Sequence, residues 1–160
     1  MSAAACALVL TACAKPEPPP VQPKSAEATP TYHPSMGDLM TMAVQPRHTK
    51  LGLAGQAANW TYAGYEASEL RHALDRVAKT IPTYRKADIA SMVAANIKQP
   101  LDSLDAAIKA KDPRAFGVAY GELTQACNAC HQGLQHSEVL IRPPAASMFP
   151  DQDFRPAPGD

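Results

Sequence analysis

The stretch Asp112-Pro113-Arg114-Ala115-Phe116, running on through Ala119, Tyr120 and Leu123 to Cys127-Asn128-Ala129-Cys130-His131, decides how this chain is read. Asp112 is placed to cap a helix, and Pro113 suits the first helical position, where no N–H is needed. Phe116, Ala119, Tyr120, Leu123, Cys127 and Cys130 then recur at steps of three and four, so one helical face is apolar and ends in two thiols. Three segments upstream show the same period. The first, about 35–58, aligns Met36, Leu39, Met40, Ala43, Leu51, Ala54 and Ala58 near one stripe, and Pro46 inside it predicts a kink. Asn59 is positioned to cap the second, in which Trp60, Ala63, Ala67, Leu70, Leu74, Val77 and Ile81 recur until Pro82. The third begins after Tyr84 with Ile89, Met92, Val93, Ile97, Leu101, Leu104 and Ile108, and Gln99-Pro100 predicts that it bends or splits. Its end is marked by Lys111-Asp112-Pro113.

Composition agrees with helices. Hydrophobic residues make up 46% and charged residues 19% of 160 positions, the profile of one globular domain. Aromatics are only 6% while Ala is abundant, which suits close-packed helices better than a sheet built on Val, Ile and Tyr. The expected class is all-α, and four helical segments predict a bundle. The 15 basic residues balance 15 acidic ones without a like-charged block, so no nucleic-acid surface and no polybasic membrane patch is expected. No repeat of 20–50 residues, Gly-rich phosphate loop or His-Glu-x-x-His metal motif occurs, which removes support for those classes.

The flanks are different material. Residues 1–14 are small and apolar, shorter than the roughly 20 residues of a spanning helix, and contain Leu10-Thr11-Ala12-Cys13. That run resembles a bacterial lipobox. The resemblance implies that the signal segment is cut before Cys13, that Cys6 is discarded, and that Cys13 is lipidated, although no Lys or Arg precedes the apolar run. Residues 15–34 hold Pro16, Pro18, Pro19, Pro20, Pro23, Pro30 and Pro34 among polar residues, a composition expected to form a disordered, extended tether. A Pro-rich extension over 137–160, with Ile141-Arg142-Pro143-Pro144 and Phe149-Pro150, is too apolar for a fully solvated tail and is expected to lie along the helices.

Chemistry concentrates in Cys127-x-x-Cys130-His131. Two thiols one helical turn apart can reach the two vinyl groups on one edge of a porphyrin, and the adjoining imidazole can reach its iron. One covalently bound haem c is the predicted cofactor, with Cys127 and Cys130 as attachment sites and His131 as the proximal iron ligand. A redox dithiol would follow a strand at a helix N-terminus, and a zinc site would need two further ligands at matching spacing. Neither context is visible.

The motif's place near the end of a fourth helix resembles the class II c-type cytochromes, the cytochrome c′ family. The resemblance covers about residues 35–136. It implies an up-down-up-down four-helix bundle with haem at the C-terminal end of helix four, and a possible homodimer. Where that family commonly has an aromatic and then a basic residue after the His, this chain has Leu134 and Gln135, so the resemblance assigns no propionate contact to that turn.

In such a bundle the end of helix four lies beside the start of helix one, so a sixth iron ligand must come from the first turns of helix one. Met36, Met40 and Met42 are there. The low-spin branch of the family uses a Met on that helix, which makes Met40 the best match and Met36 its rival one turn earlier. Met42 is rotated about 200° from Met40 and should face elsewhere. All three can equally serve as core filling. His48 is a further candidate, about 12 Å along the helix from Met40. Its neighbours Arg47 and Lys50 are candidates for haem propionates or for a solvated face. His72 and His136 are expected at the surface, while Trp60 and Tyr120 are expected either on the porphyrin or in the core.

Two functions follow. With Met40 bound, the iron is six-coordinate and suits an extracytoplasmic, periplasmic carrier of single electrons between redox partner proteins, held at the membrane by lipid on Cys13. With Met40 only packing, the iron is five-coordinate and an apolar pocket can bind nitric oxide or carbon monoxide. No acid–base pair can be placed over the iron from sequence, so an enzyme is not expected.

Overall fold

In a computed structural model of the protein, residues 31–158 are described. Ser35 opens the first helical rod: its hydroxyl accepts from the Asp38 N–H at 3.2 Å, and the Asp38 carboxylate accepts from the Ser35 N–H at 2.9 Å. This capping box satisfies two donors that the helix start would otherwise leave bare. The rod consists of α1 (Met36–Leu39), a π-helical turn (Met40–Val44) and α2 (Gln45–Gln56). Pro46 accounts for the wide turn. It has no N–H for the Met42 carbonyl and its ring needs room there, and the Gln45 N–H reaches back to Met40 O. The disruption expected at Pro46 is therefore a π turn.

α3 (Trp60–Thr80) starts where Asn59 accepts from the Tyr62 N–H at 3.0 Å, and it stops short of Pro82. A minimal hairpin follows, β1 (Thr83–Tyr84) against β2 (Ala87–Asp88), with Thr83 opposite Asp88 and Tyr84 opposite Ala87. Its turn residues Arg85 and Lys86 have φ of 47° and 68°, the left-handed pair that right-twisted two-residue hairpins require. The helical periodicity gave no hint of it. α4 (Ile89–Asn96) and α5 (Lys98–Ala110) are the third segment, split before Pro100 as Gln99-Pro100 predicts. α6 (Pro113–Gly133) is capped by Asp112, whose carboxylate accepts from the Arg114 and Ala115 N–H groups at 2.9 and 3.1 Å. The described residues are mostly helical, in keeping with the all-α expectation, with one two-stranded sheet among them.

α2 packs on α3 and α6, α5 packs on the same two helices, and α4 lies against α3, α5 and α6. Between them Leu51, Leu70, Val77, Leu101, Leu104 and Leu123 are fully buried, each worth roughly 1.5–3 kcal/mol relative to exposure. The α2–α6 approach depends on small residues. A Cβ at Gly55 would fall inside the Phe116 ring, and one at Gly52 would meet the Tyr120 hydroxyl. Glu66 on α3 is 0% exposed and is matched by Arg47, whose guanidinium donates to its carboxylate at 3.2 Å and reaches Glu69 at 3.4 Å.

α6 closes with a Schellman turn. The His136 N–H donates to His131 O at 2.7 Å and the Gln135 N–H to Gln132 O at 3.0 Å, with Gln135 at φ 59°. The chain then doubles back, and residues 137–158 lie along the helices as expected. Gln56 donates to Pro144 O at 3.1 Å, Asn59 to Arg155 O at 3.0 Å, and buried Phe154 stacks on Tyr62 with centroids 5.6 Å apart. Among the described residues no helix is long and apolar enough to cross a membrane. The lipobox segment 1–14 with Cys13, and the tether as far as Pro30, lie outside the described residues.

Candidate cofactor site

The start of the first rod and the end of α6 meet in one cleft. Met36, Met40, Val44 and His48 line it from the first rod, Cys127, Cys130 and His131 from α6, and Ile89, Met92 and Val93 from the far wall. Leu134, Val139 and Ile141 close it from the returning extension. Its empty space, counted out into the open mouth, is about 910 Å³.

The two thiols sit one turn apart on the apolar face of α6. Burial, and then the neighbouring Cys130, push the Cys127 thiol up to about 12, and burial raises Cys130 as well. Reactive redox dithiols depend on the opposite shift. No cluster of three or more His, Cys, Asp or Glu able to hold a metal forms among the described residues, whereas a structural zinc site needs four ligands. Two protonated thiols beside a large apolar cleft fit covalent attachment to an apolar group instead.

His131 adds a directional feature. Its Nδ1 lies 2.8 Å from the Val139 carbonyl oxygen. A carbonyl only accepts, so Nδ1 carries a proton, and in the neutral ring Nε2 then keeps its lone pair. No side chain or backbone group among the described residues bonds to Nε2. An imidazole held in this way is the usual form of a metal-ligating His. Apolar walls, paired thiols and a tautomer-fixed imidazole together fit haem c.

Of the candidates for the opposite side, Met36 and Met40 both face the cleft, and Met40 opens the π turn. Met42 is 62% exposed and turned away, as its rotation predicts. His48 reaches the cleft but is 4% exposed, with Nε2 3.1 Å from Thr124 Oγ1 and Nδ1 3.1 Å from the Tyr120 hydroxyl. Both ring nitrogens are thus engaged. Burial lowers its pKa to about 4, which keeps the ring neutral at pH 7.

The remaining expectations separate. Arg47 serves buried Glu66, and Lys50 lies over the Phe149 ring at 4.6 Å, so neither is a merely solvated side chain. Trp60 packs edge-on against Phe116, and Tyr120 is buried against His48; both belong to the core. His72 is exposed beside Glu69. His136, expected at the surface, is half-buried, with its ring nitrogens 2.9 Å from the Tyr84 hydroxyl and 3.0 Å from Glu138. Three contributors were not anticipated: the α4 wall, Asn128 inside the motif, and the Val139–Ile141 run. The apolar triplet Val139-Leu140-Ile141 just past the motif was the available signal.

No protein-family model, no curated protein and no solved structure matches this chain. The reading of its function therefore stands on its own residues.

Proposed function

We propose that this chain is a monohaem c-type cytochrome that carries single electrons between redox partner proteins outside the cytoplasm. The observation supporting it is the cleft that gathers Cys127, Cys130 and the Nδ1-anchored His131 on one side with Met36 and Met40 on the other. On this reading the helices form the up-down-up-down four-helix bundle of class II cytochromes, with haem at the C-terminal end of α6. Cys127 and Cys130 would hold the haem through two thioethers, His131 would supply Nε2 as an iron ligand, and Met40 would supply its thioether from the π turn. Haem c, when bound, supplies a one-electron couple. The apolar walls keep water from the iron, and a Met ligand favours the reduced state. Lipidated Cys13 and the tether then hold the domain at the membrane surface in the periplasm, and the family likeness adds a possible homodimer.

The apolar company of Met36 and Met40, with Val44, Met92 and Val93 around them, also supports a second reading, a five-coordinate binder of nitric oxide or carbon monoxide. Visible spectra of the oxidised and reduced protein separate the two, taken on wild type and Met40→Ala made with the periplasmic haem-attachment machinery. The carrier requires a low-spin wild type with the weak red Met-to-iron band, lost in Met40→Ala. A high-spin wild type that shifts with carbon monoxide supports the gas binder. A low-spin spectrum unchanged in Met40→Ala removes Met40 and brings Met36 forward.

A further inference from the structure

Asn128 occupies one of the two variable positions of the Cys-x-x-Cys-His motif, where haem attachment makes no demand on the side chain. Its amide nevertheless makes a two-point contact, donating to Ile141 O at 3.0 Å and accepting from the Ile141 N–H at 2.8 Å. That is the pairing a neighbouring strand would give Ile141, supplied here by one side chain. Three residues further along α6, His131 Nδ1 meets Val139 O at 2.8 Å. Positions 128 and 131 share a helical face about 4.5 Å apart along the axis, and two extended residues span at most about 7 Å. The return segment can therefore reach both positions. Pinning Ile141 on Asn128 fixes which carbonyl arrives at the imidazole.

The reversal is secured from a second side. Arg85 in the hairpin turn donates to Leu134 O and Gln135 O at 2.9 and 3.0 Å, and the Val139 N–H donates to His136 O at 2.9 Å. Hairpin, Schellman turn and Asn128 thus hold the ends of one short loop, with the Val139 carbonyl between them.

We propose that Asn128 is a positioning residue for the haem iron's proximal ligand: it fastens segment 137–141 so that the Val139 carbonyl holds the His131 Nδ1 proton. This rests on the haem reading above. A proton drawn toward a carbonyl makes the other ring nitrogen the stronger donor, which favours ferric over ferrous iron. The strap therefore lowers the reduction potential, and loosening it raises the potential.

The test compares holoproteins of wild type, Asn128→Ala, Ile141→Pro and the double variant by potentiometric titration, with covalent haem checked by mass. Ile141→Pro removes the N–H that donates to Asn128 and leaves the bond from the Asn128 amide to Ile141 O. Both single variants are expected to carry haem and to shift upward by up to about tenfold in the oxidised-to-reduced equilibrium, roughly 59 mV for one electron. The double variant should shift no further than Asn128→Ala, which already removes both bonds to Ile141. Holo variants with the wild-type midpoint overturn the positioning role and leave the haem reading intact. Loss of haem attachment in both variants, with helical circular dichroism unchanged, also overturns it, since the contact would then serve attachment. Wild type without covalent haem overturns both.

Discussion

His48 makes acid stability a quantitative test of the core. The ring is 4% exposed, lies between the Tyr120 and Thr124 hydroxyls, and is held neutral by burial, with its pKa lowered from 6.5 to about 4. The unfolded chain binds a proton at this site as pH falls through 6.5, whereas the folded chain does not until about 4. Stability is therefore complete above 6.5, declines on acidification, and stops declining below 4. At about 1.36 kcal/mol per pH unit the full loss is about 3 kcal/mol, most of it spent by pH 4.5. Replacing His48 with Gln keeps hydrogen-bonding groups near Thr124 and Tyr120 but removes the titration. Guanidinium unfolding of both proteins at several pH values between 7 and 4.5 reads the effect. Wild type should lose about 2 kcal/mol more than the variant across that range, whatever the variant's stability at pH 7. Parallel losses would refute the burial of a neutral imidazole.

Two further perturbations test the packing. Gly55→Ala drives a methyl into the Phe116 ring and should destabilise by about 1–3 kcal/mol despite the better helix former; Gly117→Ala, which meets nothing within 4 Å, should stabilise by roughly 0.5–1 kcal/mol, and thermal melts of the pair must move in opposite directions. At the buried ion pair, Arg47→Met strands Glu66 at 0% exposure and should cost about 3–5 kcal/mol. Glu66→Gln should cost less, because Arg47 is part-exposed and keeps Glu69 at 3.4 Å; urea unfolding that ranks the two variants the other way would contradict the assignment.

Local rules carried the reading furthest where cap, periodicity and terminator agree. Asn59 and Pro82 bracket α3, and Asp112-Pro113 opens α6, within a residue or two of the observed ends. The site was legible to the extent that its residues are adjacent in sequence: Cys127, Cys130 and His131. Other features depend on left-handed residues that are not Gly. The hairpin turns on Arg85-Lys86 and the Schellman reversal on Gln135, where Asn or Gly would have announced both. Lacking that signal, the periodicity starts the third helical segment straight after Tyr84, where the structure has the hairpin and begins the helix only at Ile89, and it gives the extension no direction. Arg47 shows a second kind of gap. A cation on a helix surface reads as solvated until tertiary packing brings a buried carboxylate to it, and Glu66, one position from Ala67 on the apolar face of α3, gave no sign of being that partner.

His48 and Met40, the two candidates for a sixth ligand in the proposed haem site, show how packing decides what spacing leaves open. Both residues line the cleft, so proximity does not separate them. His48 has commitments: Thr124 and Tyr120 stand one and two turns before Cys127 on α6, so the helix that presents the thiols also ties down both ring nitrogens. Drawing His48 to an iron would break both ring contacts. The Tyr120 hydroxyl keeps the His48 carbonyl at 2.8 Å and the Thr124 hydroxyl keeps the Tyr120 carbonyl at 2.9 Å, so the cost is the net worth of the two lost hydrogen bonds, about 0.5–1.5 kcal/mol each. Met40 has no such cost, because a thioether is a weak acceptor that gives up no strong hydrogen bond on binding a metal. It also opens the π turn that Pro46 imposes, a distortion often found at functional sites. If the protein binds haem as proposed, the imidazole is retained by the core, and the thioether of Met40 is the ligand that can be released at least expense.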